Sequence, residues 1–290
     1  MDFLNKAIMK FAYQIAQEME ARAILLYADM VADLPVDASD DKACCERIIV
    51  TRGDAGVPEK FRTSVNVLNV PDVNLTRVGQ IKIAVTKGIA TGLFKSGDKL
   101  VCLSGISKFG YLDCIMIIDV GREFEIFTSE EIRDIIEDVY PEVFDVVLNI
   151  ALELAAQGRE SRPVGTIFIL GDHEKALQLS RQMVINPFMG YAENERNILN
   201  PNLKETIKEF SAIDGAFILK GDGVIVTAGR HLNAALENKD FPKGLGSRHI
   251  AAAGITDVSH AVAVVISEST GTVSVFKDGK IFVSIEKPVR

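Results

Sequence analysis

The chain has 290 residues, of which 48% are hydrophobic and 25% charged. That is ordinary globular usage with enough apolar side chain for a sizeable core, and it excludes a disordered chain or a small stapled scaffold. At about 150 residues per domain the length fits two domains. Lys and Arg number 32 against 40 Asp and Glu, a net charge of −8. This argues against whole-surface attraction to nucleic acid or anionic lipid, so an anionic ligand has to be met by a local group of donors.

Mean hydropathy is +0.18, yet no uncharged run approaches the roughly 18 residues that a span needs. The longest apolar stretches, residues 115–120 and 261–266, are strand-length. Met1-Asp2 lacks the basic start of a signal peptide. Cys44, Cys45, Cys102 and Cys114 form no CxxC and have no nearby His pair. They read as reduced thiols of a cytoplasmic protein rather than as a zinc site.

Residues 3–21 place Phe3, Leu4, Ala7, Ile8, Phe11, Ala12, Ile15 and Met19 at helical spacing, which predicts an amphipathic helix. Residues 23–27 and 47–50 read as buried strands. Asn74 or Thr76 can cap a helix over 78–90, and strands follow at 100–103 and 114–120. Strands alternating with helices predict an α/β domain with a largely parallel sheet, over residues 1–127. The polar stretch 128–138 then runs into a second helix, with Val143, Val146, Val147, Ile150, Ala151, Leu154 and Ala155 on one face.

After Pro163 the pattern changes. A strand at 165–170 and a short helix at 203–212 precede strands at 217–219 and 224–227, which flank a Gly221-Asp222-Gly223 turn. Strands at 261–266, 273–276 and 281–285 follow, the last two joined through Asp278-Gly279. The second domain, 128–290, is therefore expected to be α/β with a mixed or antiparallel central sheet flanked by helices.

Three segments of this half carry candidate chemistry. Asp214-Gly215-Ala216 sets a carboxylate at a strand entrance beside two residues small enough for a ligand to lie against backbone. Alone it is also ordinary turn chemistry. Gly244-Leu245-Gly246-Ser247-Arg248-His249 opens a helix whose unpaired N–H groups, with Arg248 and His249, can meet an anion; Ser247 reads as the N-cap. A plain helix start is the competing reading. Ser267-Glu268-Ser269-Thr270-Gly271 puts hydroxyls and a carboxylate at the mouth of a buried strand, or makes a polar hairpin connection. Asp172 reads as the cap of a helix starting at His173, His231 as a neighbour of the pocket, and His260 as structural.

In order and spacing these three segments resemble the diadenylate cyclase domain, whose signatures are Asp-Gly-Ala, Gly-Thr-Arg-His and Ser-Glu-x-Thr-Gly. The likeness covers roughly residues 165–285. Ser247 stands in place of the usual Thr, and Ile250 where a basic residue is common. The resemblance implies condensation of two ATP molecules to cyclic di-AMP with loss of two pyrophosphates, across two domains facing each other about a two-fold axis in a homo-oligomer. It implies a catalytic and metal-binding role for Asp214, with Mn²⁺, Mg²⁺ or Co²⁺ as the cofactor. Arg248 and His249 would hold phosphates in line with Gly246, Ser247, Ser267 and Glu268, while Gly215, Ala216 and Leu232 border the adenosine. Neither nucleic acid nor membrane is implied as a partner.

Residues 48–118 more loosely resemble the C-terminal α/β domain of pyruvate kinase, through Thr51-Arg52-Gly53, residues 82–91 and Ser96-Gly97-Asp98-Lys99-Leu100-Val101. The pairing of the two domains is similar to the archaeal type of diadenylate cyclase, with the first domain assembling subunits or sensing an effector. The rival function is a nucleotide sensor, binding ATP or cyclic di-AMP without turnover. Such a sensor has no need of Asp214.

Overall fold

The computed structural model describes residues 2–31, 45–53, 66–106, 110–121, 138–233 and 245–287. The chain divides into two compact units, Met1–Glu123 and Phe124–Arg290. The border expected after Phe127 lies outside the described residues, as do Cys44, Gly244 and most of the acidic stretch 128–138.

In the first unit the chain runs α1 (Asp2–Glu18), β1 (Ala23–Tyr27), α2 (Ala28–Val31), β2 (Glu46–Arg52), β3 (Asn66–Val70), α3 (Arg77–Ala90), β4 (Lys99–Ile106) and β5 (Tyr111–Asp119). The sheet order is β3-β2-β1-β4-β5. The first four strands are parallel and β5 is antiparallel on β4. All five residues of β1 are buried, as a strand covered on both faces requires. Thr76 caps α3 by accepting from the Gly79 amide at 2.9 Å, one of the two caps expected.

Two features depart from the sequence pattern. β3 lies outside the expected strands, because its Asn-Val-Leu-Asn-Val alternation is short and half polar, as suits an edge strand. In α1, Phe3, Leu4 and Phe11 are exposed, while the buried line runs through Asn5, Ala12 and Ala16. Asn5 accepts from the Leu112 amide at 2.8 Å and donates to the Gly110 carbonyl at 3.2 Å. A polar side chain reading the β5 backbone thus sets the helix face.

The second unit contains α4 (Pro141–Gln157), β6 (Ile167–Leu170), α5 (His173–Gln178), β7 (Ser180–Gln182), α6 (Lys204–Phe210), β8 (Ala216–Leu219), β9 (Ile225–Leu232), α7 (Ser247–Asp257), β10 (Val262–Ile266), β11 (Val273–Lys277) and β12 (Lys280–Ile285). Their order in the sheet is β12-β11-β10-β6-β8-β9-β7. Only β6 and β8 run parallel; every other pair is antiparallel, so the sheet is mixed. Three-residue β7 carries no apolar alternation that would mark it in the sequence.

α4 starts at Pro141 and ends at Gln157, with Gly158, whose φ is 66°, as its C-cap. Its buried stripe is wider than the pattern suggested, taking in Phe144, Leu148 and Leu152 and leaving Val146 half-buried. The period of two along β6 splits the core between the sheet faces. Ile167 and Ile169 join Ala216, Ile218, Ala252, Ala253 and Phe276 in one cluster that includes α7. Phe168 instead stacks on Phe217, with ring centroids 4.9 Å apart. At the hairpin after β11, Asp278 and Gly279 have φ of 50° and 72°, the pair of positive values a type I′ turn requires.

Candidate active site

Strand direction brings the three segments together along the edge formed by one set of strand ends in the second sheet. β6 and β8 are parallel, so the Asp214-Gly215-Ala216 entrance to β8 lies beside the Gly165-Thr166 entrance to β6. β10 is antiparallel to β6, so its exit into Ser267-Glu268 reaches the same edge. β9 is antiparallel to β8, which sets Arg230 opposite Ala216 and carries the end of β9, with Leu232, to that edge as well. α7 begins there too, and Arg248 joins the parts.

The Arg248 guanidinium lies between two carboxylates. Its Nη1 donates to Glu268 Oε2 at 3.0 Å and its Nη2 to Asp214 Oδ1 at 3.3 Å. The side chains of Asp214 and Glu268 are 80% and 55% exposed and that of Arg248 is 30% exposed. In solvent such pairs contribute at most about 1 kcal/mol to the fold. A polar ligand can therefore replace either contact at small cost to stability.

The other expected residues divide. Gly246, not Ser247, occupies the N-cap of α7; no side chain caps the helix, and exposed Ser247 is its first residue. A cap needs extended backbone, and Gly246 has it, with φ −70° and ψ 169°. His249 takes no part in the hydrogen bonds of the acid–arginine cluster. It is buried, and its ring lies edge-on to Phe276 with centroids 5.9 Å apart. Burial, and then the charge of Arg248, hold its pKa below the ordinary histidine value, which favours the neutral ring. Leu232 packs within the core cluster beside Ala216, Ala252 and Ala253.

Ser267 organises its own turn. Its amide donates to the Thr272 carbonyl at 2.9 Å, its carbonyl accepts from the Gly271 amide at 2.8 Å, and its Oγ lies 3.3 Å from Ser269 Oγ. The turn therefore presents a fixed row of hydroxyls beside Glu268. Away from this edge, Asp172 caps α5 and also accepts from the His260 amide at 3.2 Å. His231 is exposed on β9, opposite Arg181.

Two further residues, not among those expected from the sequence, brace the site. Thr166 Oγ1 donates to the Gly215 carbonyl at 3.4 Å, and its own carbonyl accepts from the Ile266 amide at 2.9 Å. Arg230 donates to Ser180 Oγ at 2.8 Å, to the Ser180 carbonyl at 2.7 Å and to the Leu177 carbonyl at 3.1 Å, tying α5 and β7 to the strand opposite Ala216. A glycine directly ahead of a run of buried β-branched residues was the available signal for the first. Nothing local marks the second.

Comparison with known proteins places the chain among relatives. A family model described as DisA bacterial checkpoint controller nucleotide-binding matches residues 153–281, and one described as Probable sensor domain DacZ_P matches residues 4–128. A diadenylate cyclase of Methanocaldococcus jannaschii is 38% identical over 202 residues, which span 69% of this chain and 64% of that protein. One of Haloferax volcanii is 34% identical over 213 residues, 71% of this chain and 75% of its own length. The chain belongs to the diadenylate cyclase family. A more distant diadenylate cyclase, from Listeria monocytogenes, is 41% identical over 69 residues, 24% of each chain. In the archaeal relatives the match spans just under two thirds of one protein and three quarters of the other. The family's nucleotide-binding model covers all three segments at the sheet edge, whereas its sensor model covers the first unit. Among the described residues, no helix is long and apolar enough to cross a membrane.

Proposed function

We propose that the second unit, taken as residues 128–290, condenses two ATP molecules into cyclic di-AMP and two pyrophosphates. The observation that carries this reading is the Arg248 guanidinium shared by the carboxylates of Asp214 and Glu268 at the edge where all three family segments meet. In each half-reaction the 3′-oxygen of one ATP forms a bond to the α-phosphorus of the other, and the bond from that phosphorus to the pyrophosphate oxygen breaks. Asp214 receives the hydroxyl proton, and its exposure leaves it free to approach a ribose. Arg248, Ser247 and the hydroxyls of the Ser267 turn hold the phosphates in line and offset their charge. Gly246 opens the helix, His249 seats its first turn on Phe276, and Gly215 borders the adenosine with buried Ala216 and Leu232 packed in the core behind it.

A divalent cation fits this donor set. Among the described residues no group of three or more His, Cys, Asp or Glu side chains could hold a metal ion. A single exposed carboxylate suits an ion that takes its remaining oxygen ligands from the nucleotide and water. Asp214 would hold Mn²⁺, Mg²⁺ or Co²⁺, and the ion would supply acidification of the 3′-hydroxyl and neutralisation of phosphate charge. Each unit binds one ATP, so turnover needs two units facing each other in a homo-oligomer. The first unit, taken as residues 1–127, serves assembly or effector sensing.

The test is incubation of the purified protein with ATP and each of the three cations, followed by mass spectrometry. Cyclic di-AMP is the expected product. ATP bound and recovered intact would make the protein a sensor instead.

A further inference from the structure

Gly165 precedes β6, and its φ lies outside the left-handed range, so its backbone would accept any side chain. What bars one is the space beside it. A β-carbon at this position would stand 2.7 Å from Arg248 Nη1, 3.0 Å from Arg248 Cζ and 2.8 Å from Glu268 Cβ. The missing side chain thus vacates the volume in which the guanidinium lies. Thr166, fully buried, bonds to the Gly215 carbonyl on one side and the Ile266 amide on the other. Two consecutive residues consequently touch all three segments of the site: the strand entrance after Asp214, the helix start through Arg248, and the turn of Glu268.

We propose that Gly165 is a positioning residue of the nucleotide site, forming the floor on which the Arg248 guanidinium rests between Asp214 and Glu268. Thr166 fixes the height of the Asp214 segment against that floor. The inference rests on the reading of this edge as the ATP site. An arginine side chain has many rotamers, and holding its head in place before the ligand arrives removes that ordering cost from binding. Here two carboxylates supply the direction and a bare backbone supplies the depth.

The experiment compares Gly165→Ala, Arg248→Ala and the double variant in the full chain. Calorimetric titration with ATP and steady-state kinetics are the readouts. In Gly165→Ala the nearest obstructed atom is the free end of the Arg248 side chain, while Glu268 Cβ at 2.8 Å must also shift with its turn, so the fold is expected to survive with a modest drop in melting temperature. The ATP Kd and KM should rise roughly tenfold, the scale of one lost charge-assisted hydrogen bond, with kcat less affected. On the Arg248→Ala background the same alanine should cost far less ATP affinity than in the parent, the remainder coming from the approach to Glu268 Cβ. An unmoved ATP Kd in Gly165→Ala, or full additivity in the double variant, overturns the inference. Should Gly165→Ala alone not fold, recovery of folding in the double variant supports it, and failure to recover overturns it. A parent protein that binds ATP without forming cyclic di-AMP overturns the functional reading only, since the floor is then judged on Kd.

Discussion

Gly215 lies against the backbone of Gly229: a β-carbon on Gly215 would stand 2.7 Å from Gly229 Cα and 2.7 Å from Arg230 N. Both glycines have positive φ, 117° and 69°. The β8–β9 ladder shifts register just after Ala216, and this close approach accompanies the shift. The position of the neighbouring Asp214 carboxylate is therefore set by how closely two backbones meet.

Replacing Gly215 by alanine imposes strain at φ 117° together with a clash against backbone that cannot swing aside. A loss on the order of 3 kcal/mol of stability is expected in Gly215→Ala. Denaturant unfolding checks it, and a midpoint equal to that of the parent would contradict the close approach.

Asp214→Asn keeps the size of the side chain and its bond to Arg248 through the amide oxygen, but removes the proton acceptor. Cyclic di-AMP formation should fall by roughly 10²–10⁴-fold while ATP still binds. Product at the parental rate would remove Asp214 from the chemistry.

Arg248→Ala separates binding from stability. Its two ion pairs are solvent-exposed, so the melting temperature should hardly change. The ATP KM should rise by roughly 10- to 100-fold, because two charge-assisted donors to phosphate are lost. Replacing His249 as well, in Arg248→Ala/His249→Ala, should add a loss of stability from the hole left beside Phe276. An ATP requirement unchanged in both variants would dissolve the anion site.

His249 also makes stability pH-dependent in a defined direction. Its folded pKa is depressed by burial and by Arg248, so below the ordinary histidine value of about 6.5 the unfolded chain binds the proton more readily. Stability is then full above that value and declines as pH falls toward the folded pKa. The melting temperature of the parent should drop more steeply on acidification than that of His249→Asn. Parallel curves would show that this ring is not linked to folding.

Much of this was legible in the residues themselves. Helical spacing marked α4, the Asp278-Gly279 pair fixed a hairpin, and continuous apolar runs marked β1 and β10 as buried strands. Each is a local signal, readable because the backbone geometry it demands involves near neighbours in sequence. Asp214, Arg248 and Glu268 stood out through the family segments that contain them, although the 34 residues from Asp214 to Arg248 and the 20 from Arg248 to Glu268 gave no hint of one shared guanidinium.

Tertiary structure decided the rest. It turned His249 inward, gave the N-cap to Gly246 instead of Ser247, exposed Phe3 and Phe11 while burying Asn5, and placed Gly165-Thr166 under the site. A side chain's surroundings depend on which strands lie beside it and in what direction they run. Those pairings join stretches far apart in the chain, and no local pattern specifies them.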